Sequence, residues 1–142
     1  MAMEQERPYT KVLERLKSAG LRPTRQRMAL AKLLFDAGNR HVTAEQLHNE
    51  AGKASVRVSL ATVYNTLHQF VDAGLLREVM VDPGRSYFDT NTADHHHFFD
   101  QSDGRLIDIA DESISLGSIP TPPDGTAVDR VDVIIRVNKA SE

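Results

Sequence analysis

Apolar residues recur every three or four positions through most of the first 72 residues, which predicts a series of amphipathic helices. The predicted helices run over Pro8 to Ala19, Thr24 to about Ala37, Thr43 to Gly52 and Ser59 to Phe70. Thr24 and Thr43 are predicted helix N-caps, and Gln46 completes a capping-box pattern with Thr43. The N-terminal part is therefore expected to be helical.

The fourth predicted helix has one apolar edge and one hydrogen-bonding edge. Its apolar edge consists of Leu60, Val63, Leu67 and Phe70, and its polar edge of Ser59, Thr62, Asn65 and Gln69. Gly74 can end this helix, and a Pro-Gly turn at 83–84 then separates two short predicted strands. A helical bundle, a recognition helix and a two-stranded hairpin form a winged helix-turn-helix in this order. The pattern predicts that this part of the chain reads DNA.

The pattern changes after Asn91 to short apolar segments separated by acidic turns. Predicted strands cover Arg105 to Ala110 and Val128 to Asn138, and a short helix is predicted from Asp111 to Ile119. About fifty residues rarely form an independent core, so we expect this part to pair in a homodimer. The predicted fold class is α+β. A winged-helix DNA-binding domain at 1–90 precedes a small α/β dimerisation and ligand-sensing domain at 91–142.

Composition excludes several classes of site and of protein. No segment reaches the eighteen or so apolar residues of a membrane span, and the charged N-terminus lacks a secretory core, so we expect a cytoplasmic protein without membrane partners. The absence of cysteine excludes disulfides, cysteine nucleophiles and a cysteine-bound structural zinc. A metal would have to be bound by histidine or carboxylate side chains.

Charge is distributed unevenly along the chain. Residues 1–77 contain 12 Lys and Arg against 7 Asp and Glu, a net charge of +5, whereas residues 78–142 contain 5 against 13, a net charge of −8. Basic side chains favour association with DNA phosphates because they release counterions. Uneven charge also occurs in soluble proteins without nucleic-acid partners, so it is the helix and hairpin that favour double-stranded DNA.

Three consecutive histidines, His95, His96 and His97, stand beside two phenylalanines. Neutral imidazole binds borderline metal ions well. In an extended chain His95 and His97 share one side and His96 lies on the other, so a complete site needs further donors. The candidate donors are His41, Asp89 and Asp108. The alternative is a polar turn in which one or two histidines are partly buried.

Five segments in order resemble the ferric uptake regulator family. They are the 20–27 segment GLRPTRQR, the 41–47 segment HVTAEQL, the 59–67 segment SLATVYNTL, the 72–75 segment DAGL and the 95–97 segment HHH. Three features are most similar to the iron response regulator branch of this family. They are the lack of cysteine, the amino-acid sequence of the 59–67 segment and the aromatic residues that follow the histidines. Members of that branch are described as haem-responsive transcription factors that control haem synthesis and iron uptake genes.

The resemblance implies a set of DNA-binding residues. Tyr64 matches the family's base-contacting tyrosine, and Arg22 matches a basic residue that enters the minor groove of A·T-rich operators, where negative potential is concentrated. From the residues alone, Tyr64 is better explained as a core aromatic, because it lies beside the apolar edge of the helix. The remaining members of the predicted DNA-binding set are Thr24, Ser59, Thr62 and Asn65.

The resemblance also implies ligands. His41, Asp89, His97 and Asp108 match four ligands of the family's regulatory metal site, which joins its two domains. The fifth ligand position is occupied by Phe99, and His96 is the remaining residue of a second site. Imidazole ligands with nearby aromatic rings suit haem. We therefore expect haem at or near His95 to His97.

Four hypotheses follow. In the first, a homodimeric regulator loses DNA affinity when haem binds; in the second, the ligand is Fe(II) or Mn(II), as in the peroxide-sensing branch. In the third, two histidines and a carboxylate form a non-haem iron oxygenase site, which leaves the basic N-terminal part unexplained. The fourth is an interaction module without a ligand. We expect a regulator and no enzymatic activity.

Overall fold

The computed structural model describes residues 9–110 and 113–140, and the chain divides into two compact units, 1–92 and 93–142. Within residues 9–92, the first unit contains four α-helices. Their bounds are Thr10–Ser18 (α1), Arg25–Phe35 (α2), Ala44–Lys53 (α3) and Leu60–Asp72 (α4). All four helices were predicted from the apolar periodicity.

Side-chain caps fix where the last three helices begin. The Thr24 hydroxyl accepts a hydrogen bond from the Arg27 amide at 3.2 Å, and Thr43 and Gln46 form the predicted capping box. The Ser59 hydroxyl caps α4. The predicted end of α3 at Gly52 is wrong by one residue, because the helix continues through Lys53.

The core of the first unit is formed by the apolar faces of all four helices. Leu16, Leu34, Leu47, Leu67 and Phe70 are fully buried in it. At about 25 cal/mol per Å² of buried apolar surface, each such side chain contributes roughly 1.5–3 kcal/mol relative to exposure. This packing holds α4 in place and leaves its polar edge outside the core.

A three-stranded antiparallel sheet completes the first unit. Its strands are His41–Val42 (β1), Arg77–Asp82 (β2) and Arg85–Asp89 (β3), in the order β1-β3-β2. Gly84 has a φ of +77°, which L-residues rarely adopt, so the tight turn between β2 and β3 depends on glycine. The hairpin is the predicted wing, and the unit is a winged helix.

The second unit contains a three-stranded sheet. Its strands are His96–Asp100 (β4), Arg105–Ile109 (β5) and Ile134–Val137 (β6), in the order β5-β4-β6. β4 is antiparallel to β5 and parallel to β6. The α+β fold class is thereby confirmed.

Two details of the second unit differ from the expectation. The strand predicted at Val128 to Asn138 is only four residues long, because only Ile134–Val137 pair with β4. No α-helix forms over residues 113–119 of the predicted Asp111 to Ile119 helix, whose first two residues lie outside the described part. The central strand β4, which contains His96 and His97, was not among the predicted strands.

Apolar side chains remain exposed in the second unit. The exposed set is Ile107, Leu116, Ile119, Val128, Val131 and Ile135, with Ile119 at 52%. Within the segment predicted as a strand, Val131 and Ile135 are 37% and 38% exposed. A single copy of the unit is thus too small to cover its own apolar surface. Among the described helices, none has the length and apolar character needed to cross a membrane.

Candidate nucleic-acid interface and metal centre

A polar groove of about 430 Å³ lies between α4 and the segment that precedes α2. Its walls are formed by Arg22, Thr24, Gln26, Arg27, Thr62, Asn65, Thr66 and Gln69. Four of the predicted DNA-binding residues, Arg22, Thr24, Thr62 and Asn65, therefore line one surface although they come from two separate segments. All eight lining side chains are polar, and none is acidic.

Arg27 holds this groove together. Its Nε and Nη2 donate to Gln69 Oε1 at 3.2 and 3.0 Å, and its Nη1 donates to the Arg22 carbonyl at 2.9 Å. A planar guanidinium with several donors suits this three-point contact. The contact ties the Arg22 segment to α4, so that the two sides of the groove keep a fixed spacing.

Ser59 lies at the N-terminus of α4, where its hydroxyl donates to Thr62 Oγ1 at 2.9 Å and accepts from the Thr62 amide at 3.0 Å. The described structure thus gives Ser59 a capping role. Exposed hydroxyls and amides at a helix N-terminus can also contact phosphate oxygens.

Tyr64 is half-buried beside the core of the first unit, and its hydroxyl donates to Glu45 Oε1 at 2.6 Å. This hydrogen bond raises the pKa of Tyr64 above its usual value and lowers the pKa of Glu45. The ring also stacks on His68, with 6.4 Å between the ring centroids. The ring of Tyr64 thus packs on the core while its hydroxyl lies at the surface, and base contact by Tyr64 stays a prediction.

His95, His97 and Asp108 converge in the second unit. Their ligand atoms lie within 4.8 Å of one another, and Asp108 Oδ1 is 3.4 Å from His95 Nε2 and 3.2 Å from His97 Nε2. Both histidines are buried, whereas the Asp108 side chain is 49% exposed. Because β4 and β5 pair His97 with Asp108, the sheet register itself brings these two groups together.

Hydrogen bonding indicates that this cluster suits a cation. His95 Nδ1 lies 2.6 Å from the Ala93 carbonyl oxygen, which can only accept, so Nδ1 carries a proton. When His95 is singly protonated, the lone pair of Nε2 faces the Asp108 carboxylate. A cation between the two groups, either a second proton or a metal ion, removes this repulsion. Two donors bound at about 2.1 Å to one ion are roughly 3 Å apart, close to the distances found here.

His96 lies outside this cluster. Its Nδ1 accepts a hydrogen bond from the Val133 amide at 3.0 Å, so in the neutral ring the proton is on Nε2. The three histidines alternate as predicted: His95, which directly precedes β4, and His97 are buried, and His96 is less so. His96 thereby joins the 133–134 segment to β4 and offers no lone pair to a metal in this state.

The other two predicted ligands, His41 and Asp89, lie in the first unit. They are directly opposite each other in the β1–β3 register. Asp89 is buried, and one of its carboxylate oxygens accepts from the Asn91 amide at 2.9 Å. The His41 ring meets the edge of Tyr87, with 6.1 Å between the ring centroids.

Comparison with known proteins decides the family. The model of the ferric uptake regulator family matches residues 18–118. The chain belongs to this family. It is 36% identical to the ferric uptake regulation protein of Klebsiella pneumoniae over 102 residues, which is 71% of this chain and 66% of that protein. It is 33% identical to the peroxide-responsive repressor PerR of Staphylococcus aureus over 94 residues, which is 66% of this chain and 63% of that protein.

A solved structure agrees with this assignment. The ferric uptake regulator of Pseudomonas aeruginosa with manganese superposes with a TM-score of 0.67 at 27% identity, and the match covers 91% of this chain and 98% of that one. The chain spans about two thirds of the length of the curated relatives it matches. Membership of the ferric uptake regulator family is thus confirmed, whereas the iron response regulator branch stays a prediction.

Three residues in or beside the candidate DNA-binding face, Glu45, Arg27 and Gln69, were not among the predicted site residues. Glu45 contacts Tyr64 across 19 positions, and Arg27 contacts Gln69 across 42. In the sequence, Arg27 is one of several basic residues, and Gln69 is part of the polar edge of α4. No local pattern signals such pairs, because both depend on how the helices pack.

Proposed function

We propose that this chain is a metal-responsive transcription regulator that binds double-stranded DNA as a homodimer. The observation that carries the proposal is the convergence of His95, His97 and Asp108 on one point in a member of the ferric uptake regulator family. The ligand occupies this cluster, and the winged helix contacts DNA.

The first unit supplies the features that DNA binding requires. Its sequence carries the excess of basic residues, and its groove beside α4 is lined by donors and contains no carboxylate. In this proposal Arg22 contacts an A·T-rich minor groove. Ser59, Thr62, Tyr64 and Asn65 on α4 approach the major groove, and Thr24 assists from the start of α2.

Fe(II) or Mn(II) suits the cluster best. Two imidazole nitrogens and one carboxylate oxygen form a mixed set of borderline and hard donors, which these ions accept. The similar protein from Pseudomonas aeruginosa was solved with manganese. His41 and Asp89 are further ligands on the strength of the family resemblance alone. Fe(II) and Mn(II) are distinguished by metal analysis of protein purified without added metal.

Haem is the second candidate ligand. In its favour, Phe99 is buried where the family has a histidine ligand, and the chain has no cysteine. Against it, His95 and His97 point at the same carboxylate, so they cannot occupy opposite axial positions of one iron. A haem regulator would therefore bind haem through a single histidine of the cluster. In this alternative, haem binding would lower the affinity for DNA. Haem binding would give a Soret absorption band, and this band would be lost when the histidine that binds haem, His95 or His97, is substituted.

Exposed apolar residues support a homodimer. The second unit leaves the six apolar side chains named above in contact with water, and a second copy of the chain would cover them. Two recognition helices related by a twofold axis would match a palindromic operator.

The experiment measures binding to promoter DNA by fluorescence anisotropy, with Mn(II), Fe(II) under anaerobic conditions, haem or no ligand. We expect one ligand to change the Kd of wild type at least threefold. His97→Ala abolishes this response, and His96→Ala is the matched control that retains it because His96 is outside the cluster. Unchanged Kd at saturating Mn(II), Fe(II) and haem would refute ligand sensing.

A further inference from the structure

The exposed edge of α4 offers a specific group for reading bases. Asn65 is exposed in the second turn of the helix and lines the polar groove beside Thr62 and Gln69. Within residues 9–110 and 113–140, its side-chain amide has no hydrogen-bond partner. It therefore presents an NH2 donor group and a carbonyl acceptor side by side to any molecule that meets this face.

The neighbouring polar groups are engaged already. Gln69 Oε1 accepts two hydrogen bonds from Arg27. Thr62 Oγ1 accepts from the Ser59 hydroxyl, and Thr24 Oγ1 accepts from the Arg27 amide. Gln69 would have to give up an internal contact before it could form a paired amide contact with a base, and each threonine hydroxyl already uses one of its acceptor sites. Asn65 would give up no such contact, because its amide is solvated.

We propose that Asn65 determines sequence specificity by a paired hydrogen bond to an adenine in the major groove. This inference rests on the proposed DNA-binding function. The Asn65 carbonyl oxygen would accept from adenine N6, and its amide nitrogen would donate to adenine N7. Guanine presents two acceptors in the major groove, which suit arginine instead, and cytosine and thymine each present a single hydrogen-bonding group.

The Arg27–Gln69 contact distinguishes Asn65 from Gln69 as the residue that pairs with adenine. Glutamine can also pair with adenine, and Gln69 lies one helical turn beyond Asn65 on the same face of α4. Since Arg27 binds the Gln69 carbonyl oxygen, Gln69 acts as a positioning residue that fixes the groove, and Asn65 reads the base. The two amides are thus expected to give different results when each is removed.

The test selects binding sites from a randomised duplex DNA library with the wild-type chain, Asn65→Ala, Asn65→Arg and Gln69→Ala. Wild type should prefer adenine about tenfold or more at one position of each half-site. Asn65→Ala loses this preference, Asn65→Arg shifts it to guanine, and Gln69→Ala retains adenine whatever its total affinity. Circular dichroism confirms that the variants fold.

A second measurement isolates the contact. Replacing that adenine by 7-deazaadenine removes the N7 acceptor, which should weaken wild type several-fold and leave Asn65→Ala unaffected. If wild type enriches a sequence and Asn65→Ala enriches the same one with the same adenine preference, the role of Asn65 is refuted. If wild type enriches no sequence with any of the ligands above, the proposed DNA-binding function itself fails.

Discussion

The hydrogen bond between Tyr64 and Glu45 provides a quantitative test of the first unit. Tyr64→Phe removes a donor 2.6 Å from an ionised acceptor and leaves the ring in place. A hydrogen bond to a charged group contributes about 1.5–3 kcal/mol when shielded from water. Glu45 is exposed, so solvent screening reduces this to about 1 kcal/mol. We expect Tyr64→Phe to lower the free energy of unfolding by that amount at pH 7.

The pH dependence follows from the two pKa shifts. The hydrogen bond lowers the pKa of Glu45 below its usual 4.5, so its stabilisation is present above pH 4.5 and is lost as the pH falls through the lowered value. It raises the pKa of Tyr64 above 10.0, so the stabilisation is present below pH 10.0 and is lost as the pH rises through the raised value. The difference between wild type and Tyr64→Phe should therefore be largest from about pH 5 to 9.

Urea unfolding at pH 3.5, 7 and 10.5, followed by circular dichroism, measures this difference. Glu45→Gln is the matched control: it keeps an acceptor, should cost less than Tyr64→Phe, and should remove the acid-side dependence. A Tyr64→Phe variant whose free energy of unfolding equals that of wild type at pH 7 would refute the reasoning.

Three further predictions concern packing, capping and assembly. Phe70→Ala should lower the free energy of unfolding by about 3–5 kcal/mol because the ring is fully buried; a loss below about 1 kcal/mol in a urea titration would contradict this. Thr43→Ala should cost about 1 kcal/mol by the same measurement, and Thr43→Ser should restore most of it, since serine also caps; equal losses would exclude the capping box as the cause. Ile135→Asp should shift the chain towards monomer in sedimentation velocity, whereas the exposed wing variant Met80→Asp should not; unchanged sedimentation of Ile135→Asp would argue against a homodimer through β6.

The proposed ligand cluster of His95, His97 and Asp108 owes its geometry to paired strands. Alternation from His95 into β4 buries His95 and His97 and turns His96 away, and the antiparallel neighbour β5 supplies the Asp108 carboxylate opposite His97. The sheet therefore sets the spacing of the donors before any ligand binds. Such preorganisation lowers the entropic cost of binding, because few rotamers remain to be fixed.

Sequence alone determined the features that depend on neighbouring residues. The periodicity of apolar residues located all four helices, Thr24 and Thr43 marked helix starts, and Gly84 marked the wing turn. These features are local because helix faces, caps and turns are set by groups within about four positions of each other. The five family segments are also local sequence features, and the ferric uptake regulator family that they indicated is confirmed.

Only the tertiary structure decided the rest. β4 was not predicted as a strand because its pattern of histidines and phenylalanines does not separate apolar from polar positions, and its stability comes from pairing with β5 and β6. The Arg27–Gln69 contact spans 42 positions, and the removal of His96 from the ligand cluster depends on the Val133 amide 37 positions away. Such contacts are fixed by packing and register, which couple distant residues that no local pattern connects.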